Sequence, residues 1–270
     1  MEHLDLGDVE VTYELRGDGE PIVFLHASAF APLYRPLVEQ LASFTTLWYR
    51  RRIEPDGGGD FRPFTLGEDA EIGTRLMDHV GLSAAHVVGH SYGALVALQL
   101  AVDAPERVTT LALLEPAARA VANTEEVVNA HLAIVATYQR GDRRAAMDQF
   151  MTHVFGDGYR RVLDAAVPGA FDEAVGEADL FFRAELGALK YWEFGAPDAA
   201  RIEQPVLNVL GAHSAPRFAA SSEVLQSWCP HAERLSVPDS GHLMTVENPA
   251  AIAAGLAGFV QRRRSSIPRT

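Results

Sequence analysis

Short, mainly apolar runs alternate along most of this 270-residue chain with longer segments of helical character. The predicted strands lie at residues 21–25, 45–49, 85–88, 108–114, 205–210 and 233–237, and the helices at residues 32–41, 66–80, 92–102, 216–228 and 249–263. Apolar strands separated by helices pair in parallel and are buried on both faces. Residues 9–15 alternate apolar with polar side chains, which predicts an antiparallel edge strand. The sequence predicts an α/β fold, a mostly parallel, doubly wound sheet of about eight strands with helices on both faces.

One long segment, between residues 116 and 201, interrupts this alternation. It holds helical stretches at residues 124–140, 143–155, 159–166 and 171–192, separated by glycine and proline turns. Such an insertion is either a lid over a site at the strand ends or a structural embellishment. We favour the lid because long insertions in compact domains tend to be functional. We assign residues 1–116 and 201–270 to an α/β core and residues 117–200 to an all-helical lid.

The charge balance limits the partners of the chain. Its 23 Lys and Arg residues against 36 Asp and Glu residues give a net charge of −13, which repels nucleic acid and anionic lipid. The single cysteine, Cys229, offers no internal disulfide, and the chain begins without the features of a signal peptide. We expect a cytoplasmic protein that acts on a small-molecule substrate, with no nucleic acid, membrane, metal or cofactor. The sequence carries no signal for an oligomeric state.

The strongest chemical signal is the stretch Gly-His-Ser-Tyr-Gly at residues 89–93, between a predicted strand and a predicted helix. In a Gly-x-Ser-x-Gly elbow the serine occupies a sharp turn, and glycines two residues before and after it let strand and helix approach. Ser91 then stands at the carboxyl end of the strand, where the free N–H groups of the helix face any anion that forms. The motif predicts that Ser91 is a nucleophile.

With this motif the chain resembles the α/β-hydrolases over nearly its whole length. Asp-Ser-Gly-His at residues 239–242 is similar to the family's Gly-His signature, which implies His242 as the general base. Leu-His-Ala-Ser at residues 25–28 is similar to the family's His-Gly loop, which implies oxyanion donors at the N–H groups of Ser28 and Tyr92. Ala27 replaces the usual glycine, so either Ala27 or Ser28 is the first donor.

The acid departs from the commonest pattern of the family. The loop after the predicted strand at residues 205–210 carries Ser214 where an aspartate is usual, and a hydroxyl cannot stabilise an imidazolium as a carboxylate does. Glu115 ends the strand at residues 108–114, and some α/β-hydrolases carry the acid there. We favour Glu115 as the triad acid, with Asp239 as the second candidate and a turn-forming role as the alternative for Asp239.

Other residues are predicted around the substrate. We expect it to contact residues of the core and of the lid, namely His26, Ala27, Arg51, His213, Phe182 and Trp192. His26 and His90 are favoured as structural hydrogen-bonding groups rather than bases. The arginines at positions 50–52 could hold a substrate carboxylate, although pairing with Glu54 or Asp56 is favoured.

These placements predict a serine hydrolase that cleaves an ester, lactone or thioester of a small, largely apolar substrate through an acyl-enzyme. A serine at the elbow argues against dehalogenase and epoxide hydrolase chemistry, which needs a carboxylate there. Three alternatives remain: a C–C bond hydrolase, a cofactor-free perhydrolase, and a non-hydrolytic cyclase, lyase or binding protein on the same fold.

Overall fold

The computed structural model describes residues 1–52, 65–117 and 125–265. The strands are β1 (Glu2–Asp5), β2 (Glu10–Arg16), β3 (Pro21–Leu25), β4 (Thr45–Arg52), β5 (Ala85–His90), β6 (Val108–Leu114), β7 (Val206–Gly211) and β8 (Glu233–Val237). The α-helices are α1 (Arg35–Glu39), α2 (Leu66–His79), α3 (Tyr92–Asp103), α4 (Glu125–Gln139), α5 (Arg143–Phe155), α6 (Tyr159–Ala166), α7 (Ala170–Gly176), α8 (Leu186–Tyr191), α9 (Ala196–Ala199), α10 (Pro216–Trp228), α11 (Met244–Glu247) and α12 (Pro249–Ser265). Turns of 3₁₀-helix span Ser28–Tyr34 and Pro105–Arg107, and a π-helix spans Leu180–Glu185.

The eight strands form one sheet in the order β1-β2-β4-β3-β5-β6-β7-β8. Strands β1, β2 and β4 pair antiparallel, and the remaining neighbours pair in parallel, as predicted for buried strands separated by helices. The predicted edge strand is in fact the second strand, because β1, which the sequence analysis missed, pairs with β2 and takes the edge.

Successive side chains of β3 enter different cores on the two faces of the sheet. Val23 and Leu25 join a cluster that contains residues of α2 and α3, whereas Ile22 and Phe24 join a cluster that contains residues of α1 and α12. All four side chains are buried. The alternation follows from the two-residue period of a strand, and it confirms the doubly wound sheet.

Between β6 and β7, the described residues that have regular structure are helical. The helix predicted at residues 171–192 is divided into α7, the π-helix and α8, and α7 ends at Gly176, a residue with low helix propensity. These helices pack over the loop that follows β3: the ring of Phe30 stacks on Phe150, with centroids 5.8 Å apart. Arg35 donates to Glu173 at 3.1 Å, and Arg50 pairs with the same carboxylate.

The helix predicted at residues 32–41 is a 3₁₀-helix followed by the short α1. Two prolines explain the division, because Pro32 lies inside the 3₁₀-helix and Pro36 lies in the first turn of α1, where a missing N–H costs no helical hydrogen bond. Among the residues that the structure describes, we find no helix with the length and apolar character needed to cross a membrane.

Candidate active site

Ser91 occupies the turn between β5 and α3 in a conformation that L-residues rarely adopt, with φ 54° and ψ −115°. Its N–H donates to the carbonyl oxygen of Leu114 at 2.9 Å, which fastens the turn to the end of the neighbouring strand β6. Non-glycine residues in such conformations persist where the surrounding structure holds them, and they cluster at functional sites. The sharp turn sets the serine at the carboxyl edge of the sheet.

The two glycines of the elbow are required by close backbone approaches. A Cβ atom added at Gly89 would overlap the carbonyl oxygen of Gly93, and one added at Gly93 would overlap the carbonyl oxygen of Leu25. Strand β5, helix α3 and the end of β3 therefore meet at distances that only glycine allows.

Glu115 and His242 contact each other next to this elbow. Nδ1 of His242 lies 2.5 Å from Oε2 of Glu115, and both side chains are buried, that of Glu115 completely. Glu115 follows β6 directly and has φ 45°, a second strained residue at the same sheet edge. The carboxylate can accept a hydrogen bond from Nδ1–H, which leaves Nε2 of the imidazole unprotonated and able to act as a base.

The loop after β7 supplies the other partners of this carboxylate. Oε1 of Glu115 accepts hydrogen bonds from the N–H of Gly211, at 2.7 Å, and from the hydroxyl of Ser214. Ser214 occupies the position at which the sequence analysis expected the usual acid of the family. Its hydroxyl donates to the carboxylate of Glu115, which follows the neighbouring strand β6. Asp239, the second candidate, is exposed in the turn after β8 and has φ 52°.

Aromatic rings fix the plane of the His242 imidazole. The ring of Phe218 stacks on it with centroids 3.8 Å apart and an angle of 8° between the planes, and Phe155 lies at 5.8 Å and 26°. The ring of His90 lies 4.6 Å from that of His242. These contacts restrict the rotation of the imidazole, so its orientation is set before a substrate arrives.

His26 and His90 are buried beside the elbow. Burial lowers the pKa of His26 to about 3, and burial together with the nearby His242 lowers the pKa of His90 well below its usual range. Nδ1 of His26 lies 3.0 Å from the carbonyl oxygen of Ala27, to which it can donate. Both imidazoles are therefore neutral at pH 7, in keeping with the structural role favoured for them.

In the loop after β3, the N–H of Ser28 does not face the cavity as expected for the first oxyanion donor. The N–H of Ser28 donates to Oε1 of Glu185, a buried residue of the π-helix, at 2.9 Å. Ser28 does not line the cavity that contains Ser91, whereas Ala27 and Tyr92 do. The amide of Ser28 is thus engaged by a carboxylate, and of the two alternatives Ala27 is the one that lies at the cavity wall.

Arg51 was predicted to contact the substrate, but its side chain does not line the cavity. Its side chain is only 4% exposed and forms ion pairs with Asp69 and Glu185, and its Nε donates to the hydroxyl of Ser28 at 3.1 Å. The hydroxyl of Tyr92 donates to Asp69 at 2.8 Å. Arg51 is therefore part of a buried ionic network behind the loop and does not line the cavity, because β4 extends to Arg52 and turns this side chain inward.

Arg50, beside it on β4, pairs with Glu173, as described above. The suggested partners Glu54 and Asp56, and the side chain of Arg52, lie outside the described residues.

A cavity of about 590 Å³ opens over Ser91 and His242. His26 and Ala27 line it as predicted, but three other predicted contacts do not. His213 is exposed, Phe182 is buried against Tyr138 with ring centroids 4.8 Å apart, and the indole N–H of Trp192 donates to Gln99 at 2.8 Å. Phe182 and Trp192 therefore contact partners other than the cavity.

Sequence reasoning missed much of the cavity wall. Helix α4 contributes Val127, Val128, His131, Leu132 and Val135, and α10 contributes Arg217 and Phe218. The spacing of residues 127, 131 and 135 by four was a readable signal for one helix face. The direction in which that face points depends on how α4 packs, which a periodic pattern does not encode.

Parts of the chain are similar in sequence to curated proteins. Among curated proteins, RutD of Azorhizobium caulinodans, whose name provisionally assigns it as a carbamate hydrolase, is 34% identical over 116 residues, which is 42% of this chain and 44% of that protein. A dihydrolipoyllysine-residue acetyltransferase component of an acetoin cleaving system from Cupriavidus necator is 37% identical over 117 residues, 42% of this chain and 31% of that protein. The matches thus span less than half the length of these two relatives.

Solved structures and the family profile extend the likeness to most of the chain. The enol-lactonase from Burkholderia xenovorans LB400 superposes with a TM-score of 0.82 at 20% identity, covering 96% of this chain and 100% of that one, which shows a shared fold. The sequence profile of the alpha/beta hydrolase family matches residues 22–255. Since that match includes the elbow, Glu115 and His242, the chain belongs to the alpha/beta hydrolase family.

Proposed function

We propose that the protein is a serine hydrolase that cleaves an ester, lactone or thioester of a small, largely apolar substrate through an acyl-enzyme. The observation that carries this proposal is the contact of His242 with Glu115 at the wall of the cavity that contains Ser91. A nucleophile on a strained turn, a base and a buried acid that orients the base are the groups that acyl transfer requires.

In the proposed first step, Nε2 of His242 removes the hydroxyl proton of Ser91 as the serine oxygen attacks the substrate carbonyl. Glu115 stabilises the imidazolium that forms, and Gly211 and Ser214 hold the carboxylate in place by donating to its other oxygen. The imidazolium then protonates the leaving group. Water, activated by the same imidazole, attacks the acyl-enzyme and regenerates Ser91.

The tetrahedral oxyanion requires donors near Ser91. The N–H of Tyr92, the first residue of α3, faces this position in a Gly-x-Ser-x-Gly elbow, and the dipole of α3 adds to its effect. We propose the N–H of Ala27 as the second donor, in place of Ser28, because Ala27 lines the cavity and the Ser28 amide donates to Glu185.

The helices between β6 and β7 act as a lid in this proposal. Phe150, Phe155 and Phe181 line the cavity from this segment, together with Phe30 and Phe218 from the core. Such walls bind apolar parts of a substrate and exclude water from the reacting atoms.

A fluorophosphonate probe tests the proposal, because it reacts with a serine that a neighbouring base activates. We expect one equivalent to label Ser91, with labelling abolished in Ser91→Ala and strongly slowed in His242→Ala, and we expect turnover of short-chain esters or lactones. Absence of both labelling and turnover would exclude the serine hydrolase and favour a non-hydrolytic protein on the same fold. Labelling without ester turnover would direct the search to C–C bond or peroxide chemistry.

A further inference from the structure

Apart from two tyrosines, the ionisable side chains in the described lining of the cavity are basic. Beyond His242 and the buried His26 and His90, the described part of the lining contains His131, His153, Lys190 and Arg217, and it contains no aspartate or glutamate. The whole chain, in contrast, carries a net charge of −13. The basic groups of this described lining, in an acidic protein, favour an anion over a cation.

Three of these groups form one cluster, which we call the basic cluster: His131 on α4, His153 on α5 and Arg217 on α10. The rings of His131 and His153 meet edge to face with centroids 5.2 Å apart. Nη2 of Arg217 donates to the carbonyl oxygen of His153 at 2.5 Å. Burial lowers the pKa of His131, and the nearby His153 and Arg217 lower it further, which indicates that the three groups interact electrostatically.

The basic cluster is linked to the catalytic groups through a single ring. The guanidinium carbon of Arg217 lies 4.8 Å from the centroid of Phe218, and Phe218 stacks on His242. Apolar side chains also lie beside the cluster: Phe150 stacks with His131 at 6.2 Å, and the exposed side chains of Val128 and Leu132 line the same cavity from α4. The cavity that contains Ser91 therefore also contains this basic cluster, with apolar side chains beside it.

From this arrangement we propose that the basic cluster binds a carboxylate of the substrate, so that the substrate is an ester or lactone with one anionic end and an apolar segment before the scissile carbonyl. The guanidinium of Arg217 supplies a planar pair of donors that matches a carboxylate, and the imidazoles supply further N–H donors. One permanent cation suits a single negative charge better than a phosphate dianion. Lys190, exposed at the rim, adds attraction for the approaching anion. The inference rests on the proposed hydrolase function.

Matched pairs of esters test the inference by turnover. On the acyl side, mono-4-nitrophenyl adipate is compared with 4-nitrophenyl hexanoate; on the alcohol side, 4-hexanoyloxybenzoic acid is compared with its methyl ester. We expect kcat/KM for the anionic member to exceed that for the neutral member by about tenfold in at least one pair, the effect of one charge-assisted hydrogen bond at a half-buried site. A preference for the neutral ester in both pairs would overturn the inference.

Substitutions then assign the preference to the cluster. Arg217→Gln and His131→Gln should reduce the ratio of anionic to neutral kcat/KM, and Arg217→Lys should retain part of it because the charge remains. The matched control is Arg161→Gln, which removes an exposed arginine of α6 that does not line the cavity and should leave the ratio unchanged. An equal loss of the ratio in Arg161→Gln and Arg217→Gln would show that the net charge acts, not the cluster.

A binding measurement separates this inference from the proposed function. With the Ser91→Ala protein, calorimetry compares monomethyl adipate with dimethyl adipate, so no turnover is needed. Tighter binding of the monoanion, lost in Ser91→Ala/Arg217→Gln, supports the carboxylate site even if no ester is hydrolysed. Equal or tighter binding of the diester refutes the site, whatever the outcome of fluorophosphonate labelling.

Discussion

The hydroxyl of Ser214 donates a hydrogen bond to Oε1 of Glu115, the carboxylate whose other oxygen contacts His242. The two residues follow neighbouring strands, β6 and β7, so both lie at the same edge of the sheet. In this chain the carboxylate follows β6, and Ser214, after β7, donates a hydrogen bond to it. This arrangement gives both oxygens of a completely buried carboxylate hydrogen-bond partners.

Glu115→Gln should lower kcat for ester hydrolysis by about 10³- to 10⁴-fold, because a neutral amide neither stabilises the imidazolium nor selects the required tautomer. The side chain keeps its volume, so the far-ultraviolet circular dichroism and the overall fold should be retained. Steady-state kinetics measure the effect. Asp239→Asn is the matched control: this exposed residue has a positive φ that asparagine tolerates, and activity should change little. A larger loss in Asp239→Asn than in Glu115→Gln would move the acid to Asp239.

An acid transplanted to position 214 should restore part of the activity that Glu115→Ala removes. Because the hydroxyl of Ser214 reaches the Glu115 carboxylate, an aspartate at this position can place its oxygens near Nδ1 of His242. We expect Glu115→Ala/Ser214→Asp to exceed Glu115→Ala in kcat by about tenfold or more, a modest part of the full effect of the acid. Glu115→Ala/Ser214→Asn has the same shape without the charge, and recovery of equal size in that variant would argue against a transplanted acid.

Glu185→Gln should destabilise the protein by about 2–4 kcal/mol, since it leaves Arg51 buried with Asp69 as its remaining ionic partner. Urea unfolding followed by tryptophan fluorescence measures the change. In the exposed pair of Glu223 and Arg234, the corresponding Glu223→Gln should have little effect because water screens the charges. If the two substitutions have similar effects, the buried network contributes no more than a surface ion pair.

The stability of the fold should decrease as the pH falls below about 6.5. The pKa of His26 is lowered to about 3 in the folded protein, so between these values the unfolded chain binds a proton that the native state does not. The contribution is complete above pH 6.5 and is lost progressively toward pH 3, with a slope of about 1.4 kcal/mol per pH unit for this group.

Urea unfolding at pH 7, 6 and 5 checks this dependence, and His26→Gln should flatten it by about that slope. His90, whose pKa is also lowered, should contribute in the same direction. His3 is exposed, so His3→Gln is the control and should leave the slope as it is in the native chain. A His26→Gln variant with an unchanged slope would mean that His26 is protonated in the folded state.

The elbow and the alternation of strands and helices could be read from the sequence, because both are local. Gly89 and Gly93 permit the sharp turn whatever the rest of the fold is. An apolar run between two helices predicts a parallel strand that is buried on both faces, without saying which strands are its neighbours. The missed strand β1, whose side chains are mostly exposed, shows the limit of this reading: it forms by pairing with β2, and pairing partners are not marked in a polar four-residue segment.

Arg51 and Ser28 show what local patterns could not reveal. Three arginines in an acidic chain look like an anion site, yet Arg51 points into the core, where Asp69 and Glu185 neutralise it. Glu185 is 157 residues from Ser28 in the chain, and its carboxylate takes the amide that the family resemblance assigned to the oxyanion. A buried charge needs partners, and packing, not sequence distance, selects them.

The sequence by itself determined the alternation of buried strands with helices and the position of the Gly-x-Ser-x-Gly elbow, because both depend on backbone propensities and apolar periodicity within about twenty residues. Its family resemblance pointed to the loop that carries His242. The tertiary structure alone decided that Glu115 meets His242, that Ser214 supports it, and that His131, His153 and Arg217 face one cavity. These contacts join segments up to 127 residues apart, and their geometry follows from how strand ends and helices pack, which no local pattern specifies.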